Sequence, residues 1–343
     1  MPEPFGEPAA AGSVESVGRR RSRTAVVGLG DISALHLAAI AANPGIELVA
    51  VCDTDPERLH AASAFWGVPG FGDHRDLLAT IEPDVVHVTT PHDQHVPVAL
   101  DAIAAGTHVL TEKPVANSVT EAERLLAAAR SASVKVGVVL QNRYNPTAIA
   151  MREVIASGRL GAIRGARAAV WWTRPPGYYT AAPWRGQWSR SGGGVLINQA
   201  IHTIDLLLWL LGEPESVRGV AANLSHPRIE VEDTATISIA HAGGASSTFF
   251  ATNTHHANDD AELIVDGALG TLRFVGGRVE LITAAGNEVL ATDAQATGER
   301  SYWGKGHELL IADFHARLAD PEPFWIDLAT AIAPLRVLRE VYR

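Results

Sequence analysis

The fold is decided by the stretch TAVVGLGDISALHLAAIAANPGIELVAVCD, residues 24–53. The apolar run TAVV predicts a short buried strand that leads into Gly28 and Gly30. A helix is expected over 33–42, stopped by Asn43, Pro44 and Gly45. A second apolar run, 46–52, ends on Asp53. Strand, glycine loop, helix, strand and acidic tip in that order make a βαβ unit of dinucleotide-binding length. Gly28 permits the tight turn. Gly30 lets a pyrophosphate approach the helix N-terminus, where N–H groups and the helix dipole favour negative charge. Ser33 takes the place of the usual third glycine and is still small enough for close packing. Asp53 can accept both ribose hydroxyls of NAD and repels the extra phosphate of NADP; no Arg follows it, so NAD is favoured. Capping of the next helix falls to Asp55, which directly precedes Pro56.

Outward from this unit the alternation continues. Helices are expected over 55–66, 73–80, 93–105 (capped by Asp93) and 120–131, with strands over 84–90, 107–111 and 134–140. Strands spaced by helices mean a doubly wound parallel sheet, with its ligand beyond the carboxyl ends of the strands. Three signals fall at those ends: Thr89-Thr90-Pro91-His92, Glu112-Lys113-Pro114 and Gln141-Asn142-Arg143-Tyr144. Lys113, between a carboxylate and a proline where a strand leaves the sheet, is poorly placed for a solubilising charge. Burial beside a positive nicotinamide ring depresses a lysine pKa and makes it a usable proton partner. A cis Lys113–Pro114 bond is one option there. Glu112 is left either to pair with Lys113 or to cap the next segment.

In the second half, GGGVLINQAIHTIDLLLWLLG (192–212) reads as three glycines followed by one helix. Asn198, His202 and Asp205 at i, i+4 and i+7 then share a face. A helix over 146–157 leads out of the first domain, and a long strand follows at 162–172. The loop after it carries Trp184 and Arg185, an aromatic face and a hydrogen-bonding cation suited to a sugar. Short runs at 216–222, 234–240, 246–253, 262–266, 271–275, 278–283 and 288–291 predict an open antiparallel sheet. Ala235, Ile237 and Ile239 alternate there with Thr and Ser. Final helices are expected over 307–318 and 327–342, bracing the first domain. His255 and His256, read as strand neighbours, point opposite ways, and no metal site is expected.

Composition bounds the classes. With 343 residues, two domains are the natural division, and 47% apolar with 19% charged residues suits a globular protein. The formal charge of -10 argues against nucleic acid as a main partner. No apolar run approaches the roughly 20 residues of a membrane span, so no membrane partner is expected. The single cysteine, Cys52, sits in a predicted strand and fits a reducing cytoplasm. Residues 1–22, rich in Pro, Gly, Ala and Ser, read as a disordered arm, and Arg19, Arg20, Arg21 and Arg23 as its solvated charges. The expected domains are therefore 23–142 for the dinucleotide and 143–343 for substrate binding and oligomerisation.

The ordered motifs GLGDIS…H, VCDTDPERL, TTPHDQH, AGTHVLTEKP and GGGVLINQAIHTIDLLLWLLG resemble those of the Gfo/Idh/MocA oxidoreductases, over nearly the whole chain from about Thr24. That family includes glucose–fructose oxidoreductase and inositol 2-dehydrogenase. The resemblance implies hydride transfer between NAD or NADP and a secondary alcohol or ketone of a sugar, sugar derivative or cyclitol. It implies cofactor contacts at Gly28, Gly30, Asp31, Ile32 and Asp53, and at Thr90, Pro91, His95, Glu112 and Lys113. Lys113 and His202 take the catalytic positions, with the roles of proton acceptor and oxygen-polarising group interchangeable. Substrate contacts fall to Arg143, Tyr144, Trp184, Arg185, Asn198, His202 and Asp205. The resemblance also implies a dimer or tetramer formed through the C-terminal sheet, and an approach of the segment 302–307 to the active site. One departure matters: inositol dehydrogenases carry aspartate where this chain has Asn198, and asparagine cannot take a proton. An NAD-dependent glycosidase of the same fold and a non-catalytic NAD or sugar sensor are the alternatives; possession of both Lys113 and His202 speaks against the sensor.

Overall fold

The computed structural model describes residues 20–293 and 305–343. Most of the expected N-terminal arm, and Tyr302, lie outside them. The chain forms two compact units. The first takes its described residues up to Ala116, together with Thr120–Val139 and His307–Thr330. The second takes Asn117–Val119, Leu140–Gly306 and Ala331–Arg343.

The first unit alternates strand and helix: β1 (Ser22–Val27), α1 (Ser33–Ala42), β2 (Ile46–Cys52), α2 (Pro56–Trp66), β3 (Gly70–Phe71), α3 (His74–Ile81), β4 (Val85–Val88), α4 (His92–Ala104), β5 (His108–Glu112), α5 (Val119–Arg130) and β6 (Val136–Val139). The strands form a parallel sheet in the order β3-β2-β1-β4-β5-β6. The order reverses between β1 and β4, so this is the point where a doubly wound sheet opens a crevice. Asp55 caps α2 by accepting the Glu57 and Arg58 N–H groups, and Asp73 caps α3 through Arg75 N–H. The expected cap at Asp93 is not formed. Pro91 occupies the N-cap position of α4, and Asp93 lies inside the first turn, where its charge still complements the dipole. The two-residue edge strand β3 was too short to give a periodic signal.

The edge strand β6 is covered from within the unit, which removes an exposed template for pairing with another chain. Val138 N–H donates to Ile326 O at 3.0 Å, and Lys135 Nζ donates to Glu322 O. The rings of Phe314 and Phe324 lie over Gly137, where a Cβ would come within 2.8 Å and 3.0 Å of them.

The second unit contains α6 (Pro146–Ala156), β7 (Ile163–Trp171), α7 (Pro176–Thr180), α8 (Trp188–Ser191), α9 (Val195–Asn198), α10 (Ile201–Leu211), β8 (Pro214–Ala222), β9 (Thr234–His241), β10 (Ser246–Thr252), β11 (Glu262–Gly267), β12 (Gly270–Val275), β13 (Arg278–Thr283) and β14 (Gly286–Thr292). Its sheet runs β14-β13-β12-β11-β7-β10-β9-β8. β7 and β10 pair parallel, so the sheet is mixed rather than wholly antiparallel. Ala235, Ile237 and Ile239 are buried as the alternation predicts. His255 and His256 fall in a bend, not a strand, with ring centroids 4.2 Å apart. Two helices close the chain, α11 (Gly306–Ala316) and α12 (Leu328–Val341).

The segment 192–212 differs most from its sequence reading. It is not one helix: α9 ends at Asn198, and α10 leaves at 60° to the Trp188–Asn198 segment. Asn198 therefore does not share a helix with His202 and Asp205. The bend has two sources. Gln199, at the break, is drawn aside by hydrogen bonds to Tyr178 and Asn253. Before it, the buried Glu232 carboxylate accepts the N–H groups of Gly194 (2.8 Å) and Leu196 (3.0 Å) and the Tyr342 hydroxyl (2.8 Å). The triple glycine is needed for that packing. A Cβ at Gly194 would overlap the Glu232 backbone carbonyl, and one at Gly192 the carbonyl of Asn117.

Burial pushes the Glu232 pKa up, and its three hydrogen bonds pull it back. In Glu232→Gln an amide N–H faces an N–H or O–H donor. We expect a loss of about 1–3 kcal/mol, read as a lower thermal midpoint. An unchanged midpoint would show that Glu232 does not hold this turn.

Candidate active site

Gly28 has φ +93°, and a Cβ there would lie 2.7 Å from Thr89 C and Thr90 N. Only glycine lets the ends of β1 and β4 approach this closely. The Thr89 hydroxyl fastens the contact by donating to the carbonyls of Val27 (3.1 Å) and Gly28 (2.5 Å). Nothing lies within 4 Å of a Cβ built on Gly30, and no side chain caps α1. An open cradle thus adjoins an uncapped helix N-terminus, the arrangement that suits a phosphate. Asp31 is exposed and Ile32 half-buried on the same loop. Asp53 accepts the N–H groups of Leu29 (2.6 Å) and Asp55 (2.8 Å). A carboxylate offers about four acceptor sites, so two remain for ribose hydroxyls. These residues fit a bound dinucleotide.

At the end of β5 the Lys113–Pro114 bond is cis and Lys113 is half-buried. Glu112 is 3% exposed. Its Oε1 lies 3.1 Å from His36 Nε2 and 3.3 Å from His307 Nε2, and its Oε2 accepts the Lys113 N–H at 3.1 Å. Burial pushes the carboxyl pKa up, but the hydrogen bonds of His307 and His36 outweigh it and hold the group well below the usual carboxylate range. The carboxylate is thus engaged inside the unit by two histidines and a backbone amide. His95 is also buried, with one ring nitrogen 2.7 Å from Pro114 O and the other 2.9 Å from Thr90 O. It braces the β4 loop, with the half-buried Thr90 and Pro91, against the proline turn.

Behind Glu112 a row of histidines crosses the core. His36 Nδ1 is 2.9 Å from His87 Nδ1, His87 Nε2 is 3.0 Å from His315 Nε2, and His315 Nδ1 is 2.8 Å from Ser22 Oγ. Burial lowers the pKa of all three, that of His315 to about 3. Sequence reasoning missed this row. Its one available signal was His87 itself, a polar residue inside the otherwise apolar strand VVHV.

In the second unit, Gln141 to Tyr144 form a 3-10 turn. The Gln141 amide nitrogen lies 3.3 Å from Nε2 of the half-buried His202. Two expected substrate ligands are instead paired with each other. The Arg143 Nε and Nη2 groups donate to the two Asp205 oxygens at 2.9 Å and 2.6 Å, with both side chains buried. Tyr144 is also buried. Asn198 is half-buried at the end of α9. In the preceding loop the Arg185 guanidinium lies 4.3 Å from the Tyr178 ring centroid and 5.7 Å from that of Trp184. Tyr178, Gln199 and Asn253 form a further polar chain that sequence reasoning missed. Among the described residues, no group of three or more His, Cys, Asp or Glu side chains is placed to hold a metal ion.

Known proteins are similar to this chain in sequence and fold. The profile of the oxidoreductase NAD-binding Rossmann fold of the GFO/IDH/MocA family matches residues 22–140, and that of the family's C-terminal domain matches residues 148–273. The putative UDP-kanosamine synthase oxidoreductase subunit of Amycolatopsis mediterranei is 31% identical over 329 residues, covering 87% of this chain and 89% of that protein. The chain belongs to the GFO/IDH/MocA oxidoreductase family. The WlbA dehydrogenase of Bordetella pertussis, crystallised with NADH and UDP-GlcNAcA, superposes with a TM-score of 0.83 at 35% identity, covering 94% of this chain and 96% of that one. The trans-1,2-dihydrobenzene-1,2-diol dehydrogenase of Mus musculus is 28% identical over 204 residues, so the match spans 59% of that enzyme. The first unit of the present protein is thus an NAD-binding Rossmann fold.

We expect the histidine row to make the first unit acid-labile. His36, His87 and His315 have folded pKa values below the ordinary 6.5. The unfolded chain therefore takes up protons first, and stability is lost as pH falls from 6.5 towards about 3. The slope is about 1.4 kcal/mol per pH unit for each such proton. Denaturant midpoints measured across that window should fall, and fall less steeply in His87→Gln. Parallel curves for the two proteins would contradict it.

Proposed function

We propose that the protein is an NAD-dependent dehydrogenase that moves a hydride between the nicotinamide and a secondary alcohol or ketone carbon of a sugar carried on a nucleotide. The observation that carries the substrate class is the likeness, over nearly the whole of both chains, to a dehydrogenase crystallised with NADH and UDP-GlcNAcA. The relative named as a UDP-kanosamine synthase oxidoreductase subunit supports the same class.

When bound, NAD supplies the hydride acceptor. Asp53, held by two backbone N–H groups, receives the ribose hydroxyls and selects against a 2′-phosphate. Lys113 and His202 handle the proton of the reacting hydroxyl, one removing it and the other polarising the oxygen. The Gln141 amide orients the His202 ring. Its N–H donates towards His202 Nε2, so that nitrogen presents a lone pair rather than a proton. The Arg143–Asp205 pair is a positioning clamp that joins the 3-10 turn to the helix bearing His202. Asn198 takes a substrate hydroxyl, and Trp184 and Arg185 pack against the sugar.

Residues 23–142 serve the cofactor, joined in one unit by the returning segment His307–Thr330, and the rest of 143–343 serves the substrate and self-association. A second copy covers the sheet face that bears the exposed Thr236, Ser238, Thr248 and Val220. The cytoplasm is the proposed compartment, where the buried thiol of Cys52 stays reduced.

Lys113→Ala and His202→Ala should each lower kcat by roughly 100- to 10,000-fold while leaving the thermal midpoint near that of the parent. A variant with full activity would remove that residue from the reaction. In an NADH-formation screen, UDP-linked sugars should exceed the corresponding free sugars in kcat/KM by about tenfold or more, equivalent to about 1.4 kcal/mol. Equal turnover of free sugars or cyclitols would overturn the substrate class.

A further inference from the structure

The histidine row has a direction. Glu112 is ionised, so it can only accept, and His36 Nε2 must donate to it. A neutral His36 then presents a lone pair at Nδ1, which obliges His87 Nδ1 to donate. His87 Nε2 is left as an acceptor, so His315 Nε2 donates, and His315 Nδ1 accepts from the Ser22 hydroxyl. One ionised carboxylate thus fixes three tautomers and points every N–H or O–H along the row at Glu112. Ser22 and His315, at the other end, line an open cleft of about 1150 Å³ at the N-terminal edge of the sheet.

We propose that Ser22, His315, His87 and His36 form a one-proton relay between this cleft and the sealed Glu112 carboxylate. A proton from cleft water enters through the Ser22 hydroxyl, which passes its own proton to His315 Nδ1 and is reprotonated. His315 Nε2–H passes to His87 Nε2, His87 Nδ1–H to His36 Nδ1, and His36 Nε2–H to Glu112 Oε1. One proton enters, one arrives, and each imidazole is neutral before and after. The tautomers are then reversed, every hydrogen bond survives with its donor and acceptor exchanged, and the reverse shift returns the proton to the cleft.

The groups facing the row agree with this. His36 faces Glu112, His307 and His87, and His87 faces His36 and His315. His108 acts on His315 from β5, and Asp84 and Lys135 act in turn on His108. Burial disfavours an imidazolium anywhere along the row, which favours a concerted shift over a stepwise one.

The use of the relay in turnover rests on the dehydrogenase reading. Reduction of a ketone by NADH consumes one proton, and a row whose N–H groups point at Glu112 delivers one to that carboxylate, next to Lys113; the tautomers must turn back before the next delivery. The relay itself can be tested without turnover. In ¹⁵N-histidine NMR of the full-length protein, we expect N–H at Nε2 of His36, Nδ1 of His87 and Nε2 of His315. Exchange of the His87 ring proton with water should slow by about tenfold or more in His315→Phe, about 1.4 kcal/mol of barrier. Ser22→Ala serves the same test if that variant misfolds. Nε2–H at His87, or an unchanged exchange rate, would overturn the relay.

A second arm reads the reduction of a UDP-linked ketosugar by NADH, the direction that consumes a proton. His315→Ala opens a ring-sized gap in the cleft wall. Its kcat should fall with KM unchanged, and added imidazole should restore it. Added 1-methylimidazole, which fills similar space but cannot both accept and donate a proton, should not. Equal rescue by both would overturn the relay. A parent protein inert towards all sugars would instead count against the dehydrogenase reading, with the exchange measurement still deciding the relay.

Discussion

A carboxylate sealed inside a protein must be answered by donors, and Glu112 at the end of β5 imposes that demand on the first unit. Burial alone would neutralise it. His36 from α1, His307 from α11 and the amide of Lys113 keep it charged. One charge thereby ties the helix after the glycine loop and the returning C-terminal segment to the strand end that carries Lys113. It also orders the imidazoles behind it, since each tautomer depends on the one before.

The second unit solves a similar problem with Glu232. Its carboxylate gathers the backbone of the triple-glycine turn and the Tyr342 hydroxyl, and so sets the approach to α10. The helix that bears His202 is then held by the buried Arg143–Asp205 pair. Removing one partner of such a pair strands a buried charge, which typically costs about 3–5 kcal/mol. Arg143 and Asp205, which look like ligands in the sequence, form with each other a frame that ties the 3-10 turn to the helix bearing His202.

Much of the first unit was legible in the sequence because its signals are local. The βαβ pattern, Gly28, Asp53 and the cap at Asp55 each act within a few residues of themselves. The family followed from ordered motifs. Less legible was what depends on partners distant in sequence. Arg143 and Asp205 lie at 62 positions' separation, and His87 and His315 at 228, so neither pairing leaves a spacing signal. The break after Asn198 was hidden because the apolar pattern runs on through Gln199, whose partners Tyr178 and Asn253 lie elsewhere in the chain. Asp93 was misread as a cap because Pro91, with its fixed φ, begins α4 first.

The central claim is direct hydride transfer to NAD from a carbinol carbon. It is tested most directly by supplying a UDP-sugar deuterated at the reacting carbon and weighing the NADH formed. The account predicts one deuterium per NADH. Unlabelled NADH formed as the sugar is consumed would contradict it.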